Sequence, residues 1–409
     1  MSKFIVGFDV GSQSIRAAVA EYKRGQGLSL VALKHFPAAG MRRGVVDNIQ
    51  DASHALSAAL RELEQEYPRS SKNLILSVGS EKSKSAHSKG VVAVSRADDE
   101  IYQDDVNRVT QSSHAVNLAP NRIVLHTITQ EFIVDGVEGI RDPIGMTGKR
   151  LEANSLIIDD FTPAVRGLTK LLEELGAGIV DIVFSPLAAS QAVLSKKQKE
   201  LGVVVIDIGY GKTGFSIYEE QLLLHTGIIP IGSSHITNDL AIGLKIPVEA
   251  AETIKLSFGS ASTKGALSRD KIDLSKIDER AQGMASKKLI AEIIEARLLE
   301  IFEHVSEEIK RVNRDSQLPA GAVFVGAGSA LPGLAELGKA QLRLSTQIGS
   351  AQLGQIDVES SEISLEADQP EFATAIGLLL YNQLQYSPHT APRSQISSRL
   401  KRVLKYFIP

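Results

Sequence analysis

At 409 residues the chain is longer than one hydrophobic core supports, which predicts two or more domains. Charged side chains make up 23% of it, with both signs interspersed and a net charge of -3, so the basic excess of a dedicated nucleic-acid binder is missing. The absence of cysteine excludes disulfides, thiol catalysis and Cys-ligated metals, and fits a reducing compartment.

Phe4 to Val10 is a strand-like run that starts almost at once. No charged segment followed by an apolar one precedes it, so no secretory signal is expected, and no apolar run approaches the ~20 residues of a membrane-spanning helix. Asp9 stands at the end of this run, followed by Gly11, Ser12 and Gln13. A second strand, Ile15 to Tyr22, and a third, Leu28 to His35, complete a meander. Strands joined this closely form a hairpin whose tip leaves backbone N–H groups free, and such a nest suits phosphate oxygens. A carboxylate beside it is placed to hold a hydrated Mg²⁺. An ordinary tight turn has the same appearance.

A helix follows from Ile49 to Tyr67, with Asp51 near its start and Pro68 beyond its end, then a strand from Asn73 to Val78. The pattern changes from Gly79 to about Ile158. Strand-like Gly90 to Ser95 is followed by an acidic lead, Ala97 to Glu100, into a helix reaching about Ala115. Arg122 to Val134 alternates as a strand, Gly139 to Met146 is a turn-rich loop, and Arg150 to Ile158 is strand again. These about 80 residues read as an inserted α/β unit with its own small core. Then come a helix from Thr162 to Leu175 with Pro163 in its first turn, a strand from Ile179 to Phe184, and a short helix from Pro186 to Leu194.

The Asp-Gly hairpin then recurs. Val203 to Ile206 is apolar and β-branched, Asp207 closes it, and Gly209, Tyr210, Gly211, Lys212 and Thr213 lead into the strand Phe215 to Tyr218. Two such hairpins make an internal repeat; facing each other, they would clamp a polyphosphate and its metal from both sides. A strand from Leu222 to Ile231, a helix from Ser233 through Leu244 and another opened by Pro247 come next. Ser260 to Ile277 reads as irregular, and Ala285 to Asn313 as a long packed helix with Leu289, Ile293, Leu299 and Ile309 on its apolar face. The strand Ala322 to Val325 ends in Gly326-Ala327-Gly328, with a helix expected at once. Glycines there let the backbone approach a flat ligand or a phosphate, though a plain strand-to-helix turn looks the same. Phe372 to Tyr381 is a final helix, and two prolines mark 382–395 as a linker.

The tail is different in kind. Ile396, Leu400, Val403, Leu404 and Phe407 share one helical face, with Ile408 at its edge. Arg399, Lys401, Arg402 and Lys405 are cationic, with no acid between them. A short basic amphipathic helix on a linker suits an interfacial membrane anchor; the alternative is a terminal helix docked on its own domain.

The two Asp-Gly hairpins followed by strand-Gly-x-Gly resemble the actin, sugar-kinase and heat-shock-chaperone ATPase superfamily. Longer segments narrow the resemblance to the FtsA family of actin-like bacterial cell-division proteins. They are Glu138 to Gly148 in the insert, Ile229 to Leu244, Ala251 to Gly259, Pro186 to Ser190, Glu200 to Gly202 and the basic tail. The resemblance implies an α/β, duplicated ribonuclease H-like actin fold. Its first domain would comprise 1–79 and 159–200, its FtsA-type insert 80–158, its second domain 201–381, and its membrane-targeting helix 396–409. It implies ATP and Mg²⁺ as cofactors. Asp9 and Asp207 would hold Mg²⁺ through water. Gly11, Ser12, Gln13, Gly209, Tyr210, Gly211, Lys212 and Thr213 would cradle phosphates. Glu252, Lys255, Gly326, Ala327, Gly328 and Ser329 would face the nucleoside.

Implied partners are the C-terminal peptide of the tubulin-like protein FtsZ, further copies of the chain in a filament, anionic inner-membrane lipid, and other division proteins through the insert. The implied location is the cytoplasmic face of the inner membrane at the division site. The sequence departs from the family pattern Asp-Ile-Gly-Gly-Gly-Thr at Tyr210 and Lys212. Lys212 is either a phosphate ligand or a solvent-facing lysine. Ser185 stands where related ATPases often carry an acid. Gln191 is the nearest residue to orient a water, or an ordinary helix glutamine, so ATP binding is expected with weak or no hydrolysis. Two alternatives are a PilM-like pilus-assembly protein, which would not need the basic tail, and a small-molecule kinase, for which no catalytic acid is evident.

Overall fold

The computed structural model describes residues 4–23, 27–264, 267–354 and 356–386. The expected amphipathic helix at 396–409 and most of the expected linker lie outside the described residues. Among the described residues no helix is long and apolar enough to cross a membrane.

Two sheets repeat one plan. In the first, Phe4–Val10, Ser14–Lys23 and Gly27–Pro37 form an antiparallel meander. Leu74–Val78 and Ile179–Phe184 extend it in parallel on the Phe4–Val10 side. In the second, Val203–Ile208, Thr213–Glu219 and Leu222–Ile229 form the meander, and Ala322–Val325 and Thr346–Ile348 the parallel extension. Val203–Ile208 is covered on both faces, which is why it reads as a continuous apolar run rather than an alternating one. In each sheet the Asp lies one residue from the end of its strand, in register with Arg16 for Asp9 and with Gly214 for Asp207.

The helices Ser185–Val193 and Ala373–Tyr386 lie between the sheets. A single apolar core, including Ile75, Phe184, Leu187, Val205, Val323 and Ile376, joins them. Close approach here needs glycine: a Cβ on Gly377 would lie 1.8 Å from the Ala188 carbonyl oxygen, and one on Gly7 would lie 2.1 Å from that of Ala375. The spacing of the two hairpins is therefore set by solid packing, not by a linker.

The insert is an antiparallel four-stranded sheet in the order Lys84–Ala93, Arg150–Phe161, Arg122–Val134, Val137–Ile140, with the helix Gln103–His114 against it. Val94, Ile101, Val109, Val134, Leu151 and Ala153 form its own core. The helix starts later than the acidic run suggests, because Asp105 reaches back to accept from the Tyr102 amide at 3.1 Å and sets the first turn there.

Three local expectations are corrected. The helix Lys287–Arg311 buries Ile290, Ile294, Leu298, Ile301 and Phe302, while Leu289 is 40% exposed and Ile293 and Leu299 are half-buried; Ile309 is buried as expected, but over the rest of the helix the core face lies one residue round. No regular helix follows Gly328 at once: Ala327–Ala330 is a 3₁₀ turn, and Gly333 in the left-handed region (φ 81°) precedes the helix Leu334–Leu342. A further helix, Lys196–Leu201, precedes the second hairpin, opened by a capping box between Ser195 and Gln198.

Candidate nucleotide site

Each hairpin tip is closed by one glycine amide: Gly11 N–H donates to Ser14 O, and Gly209 N–H donates to Lys212 O, both at 3.0 Å. Among the described residues no acceptor takes the N–H groups of Ser12 and Gln13, or of Tyr210, Gly211 and Lys212. These are the free donors that a phosphate nest requires. The tips face each other, since a Cβ on Gly211 would lie 3.0 Å from Ser12 Oγ.

The second tip is packed more tightly. The helix Ser233–Leu244 starts directly on it, with Ser233 N–H donating to Gly209 O at 2.9 Å and Ser234 N–H to Tyr210 O at 2.8 Å. Gly232, not a serine, is the cap residue, because a Cβ there would come within 2.6 Å of Tyr210 O and of Lys212 N. Thr213 Oγ1 donates to Ile231 O at 2.7 Å and is fully buried. On the other side Gly326 (φ 83°) backs onto Asp207, where a Cβ would lie 2.3 Å from Oδ1. Gly328 backs onto Ile208, Ser329 is buried with its hydroxyl donating to Gly326 O at 2.6 Å, and Ala327 is exposed.

The two carboxylates sit at the base of the cleft. Ser77 Oγ donates to Asp9, and Thr374 Oγ1 donates to Asp207 Oδ2 at 3.2 Å. Burial, with the Asp9 charge nearby, pushes the Asp207 carboxyl up to about 6, against the pull of Lys212, Thr374 and Arg16. Arg16 itself pairs with Glu371 at 2.7 Å. Lys212 spans the cleft and donates to the Gly79 carbonyl oxygen of the opposite sheet. Burial lowers its pKa, opposed by Asp9, Asp160 and Asp207.

Glu252 and Lys255 form the far wall, on the helix Val248–Phe258. Lys255 is 5% exposed and donates to Glu252 Oε2 at 2.7 Å and Thr237 Oγ1 at 2.9 Å. Gln13 reaches Glu252 from the opposite hairpin at 3.5 Å, and the Tyr210 ring lies 5.6 Å from the Lys255 ammonium. Asp9, Asp207, both tips, Gly326 to Ser329, Glu252 and Lys255 thus converge on one cleft.

Gln191 does not join them. The amino-terminal end of its helix is at the cleft, where Ser185 faces Gly79 and Pro186 faces Gly214. Gln191 lies about 9 Å further along at helical rise. Its Oε1 accepts from Lys199 at 3.0 Å, and burial lowers that lysine to about 8.

Sequence reasoning passed over Arg43. Its amide donates to Ser12 Oγ at 3.2 Å, and its guanidinium bridges Glu81 at 3.0 Å and His235 Nε2 at 3.1 Å. A guanidinium only donates, so the His235 Nε2 must accept and the ring is neutral; burial and Arg43 accordingly lower its pKa. The available signal was a Gly-Met-Arg-Arg-Gly turn between the first meander and its helix, with both glycines in the left-handed region.

The family model "Cell division protein FtsA" matches residues 204–377, and "SHS2 domain inserted in FTSA" matches residues 80–159. A cell division protein FtsA from Pseudomonas aeruginosa is 30% identical, over 98% of this chain and 97% of its own. Among solved structures, the PilM-PilN type IV pilus biogenesis complex aligns with a TM-score of 0.64 at 16% identity, covering 92% of this chain and 98% of that one. MreB5 of Spiroplasma citri bound to AMPPNP aligns at 0.54 and 13% identity, covering 98% and 99%. These distant structures show the fold alone, an actin-like ATPase fold, here carrying an SHS2 insertion. On the family models and the near full-length relative together, the chain belongs to the FtsA family of cell division proteins.

Proposed function

We propose that this chain binds ATP in the cleft between its two hairpins, polymerises, and tethers FtsZ to the cytoplasmic face of the inner membrane at the division site through residues 396–409. The observation that carries the nucleotide part is the pair of facing tips with unused N–H groups, each backed by a carboxylate. Glu252, Lys255, Tyr210 and the Gly326–Ser329 turn form walls for the nucleoside. The domain limits follow the same reading, 1–79 with 159–200, 80–158 and 201–381, except that the linker expected from 382 starts inside the helix Ala373–Tyr386, so the second domain runs on to 386.

The residues present fit a hydrated Mg²⁺. Two carboxylates face one cleft, and the Asp207 carboxyl is raised by burial first and by the Asp9 charge second, both of which a divalent cation would offset. Two carboxylates are too few for a bare ion, so it would keep most of its water and meet Asp9 and Asp207 through it. Bound there, it would neutralise phosphate charge. Turnover is slow in this reading, because Ser185 offers no base and Gln191 is engaged by Lys199.

The basic tail supplies membrane affinity, at about 1 kcal/mol per cation near an anionic leaflet. The insert would serve protomer contacts and other division partners, and the region 233–320 would receive the FtsZ C-terminal peptide. The test is electron microscopy of the purified full chain on anionic lipid monolayers, with and without ATP. Filaments are expected only with lipid, ATP and tail together. Equal filament density after deletion of 396–409 would sink the anchor. No detectable ATP binding by calorimetry, with or without Mg²⁺, would sink the nucleotide site.

A further inference from the structure

The second hairpin carries a lysine where the family pattern has threonine, and the structure gives it an unusual setting. Lys212 is partly buried, and among the described residues the one hydrogen bond of its ammonium crosses the cleft to a neutral acceptor, the Gly79 carbonyl. An ammonium has three N–H donors. Among the described residues no carboxylate pairs directly with it, although Asp9, Asp160 and Asp207 all act on it through space.

Each of those carboxylates has a donor of its own. Asp160 accepts from Ser80 N–H at 3.0 Å, from the Ser80 hydroxyl and from Phe161 N–H at 2.7 Å. Asp9 accepts from Ser77 and Asp207 from Thr374. Lys212, Ser77, Gly79 and Asp160 also line a small cavity at this point. Two ammonium N–H bonds therefore remain for a ligand, on a residue that directly follows the unused amides of Tyr210 and Gly211 in the chain. A neutral carbonyl is a weak partner for an ammonium compared with an anionic oxygen.

We propose that the Lys212 ammonium is a built-in countercharge for the terminal phosphate of a bound nucleoside triphosphate, so that this chain holds ATP with little dependence on a divalent cation. The inference rests on the nucleotide reading of the cleft. Lys212 exchanges the Gly79 carbonyl for phosphate oxygens and stands between the phosphate and the carboxylates that would otherwise repel it. ADP, lacking the terminal phosphate, gains less from it.

Isothermal titration of the full chain with ATP and ADP, in Mg²⁺ and in EDTA, tests this. The wild-type affinity for ATP is expected to change by less than about threefold between the two buffers, and Lys212→Arg to behave alike. Lys212→Thr is expected to lose about tenfold or more in EDTA, with ATP affected more than ADP. A wild-type protein that loses about tenfold or more on removal of Mg²⁺ overturns the inference while leaving the nucleotide site standing. That comparison needs no variant, so misfolding of Lys212→Thr cannot obscure it. ATP binding in neither buffer overturns the nucleotide reading and this inference with it.

Discussion

The two Asp-Gly hairpins share one backbone plan and differ in what stands behind them. Each is followed across its sheet by a parallel neighbour, Leu74–Val78 for the first and Ala322–Val325 for the second. The first neighbour presents the Ser77 hydroxyl to Asp9. The second presents only the backbone of Gly326 to Asp207, at a distance that leaves no room for a Cβ. The first tip is open, with Gln13 exposed, while the second is capped by the helix Ser233–Leu244 and holds Lys212. The same local motif thus yields an open jaw on one side and a packed, charge-bearing one on the other. The chemistry of an Asp-Gly hairpin lies as much in its neighbours as in its own sequence.

The largest test of that asymmetry is Gly326→Ala. With φ at 83° and Asp207 Oδ1 at 2.3 Å from the new Cβ, the substitution should destabilise by about 3 kcal/mol or more. A urea midpoint within error of wild type would remove the distinction between the jaws.

A smaller effect sharpens it through pH. Asp207 has its carboxyl raised from 3.8 to about 6, so its ionisation opposes folding. That opposition is absent below about pH 4, grows between about 4 and 6, and is complete above. Asp207→Asn should therefore raise thermal stability above pH 6, by at most about 2–3 kcal/mol, and change little at pH 4. Equal gains at both pH values would show that charge is not the cause. The smallest effect is expected from Ser77→Ala, which removes the donor to Asp9 and should destabilise by about 1 kcal/mol in chemical denaturation. A loss as large as that of Gly326→Ala would reverse the comparison.

Much of the site was legible in the chain. An apolar run, one Asp and spaced glycines define a hairpin by local backbone rules, and they do so twice. The insert was legible for the same reason, since the alternation of Arg122 to Val134 is a one-dimensional signal of a half-covered strand. Arg43 and Ser77 were not legible. Each acts through a partner far along the chain, His235 at 192 positions for Arg43 and Asp9 at 68 for Ser77. Gln191 misled because residue type was read without its direction: helical rise carries it away from the cleft toward Lys199.

By itself the sequence determined the elements and their repeat, because strand, helix and turn preferences are set within a few residues. It determined the glycines at 209, 211, 326 and 328 and the carboxylate before each tip. Only the tertiary structure decided which face of Lys287–Arg311 is buried, since neighbouring elements choose among near-equivalent stripes. It alone turned the segment after Gly326 into a 3₁₀ turn pressed on Asp207 and Ile208. It alone brought Lys212 to Gly79, 133 positions away, and so placed a cation among three carboxylates. The physical reason is common to all three: burial, charge and hydrogen-bond partners depend on distances between segments, which packing of the shared core sets.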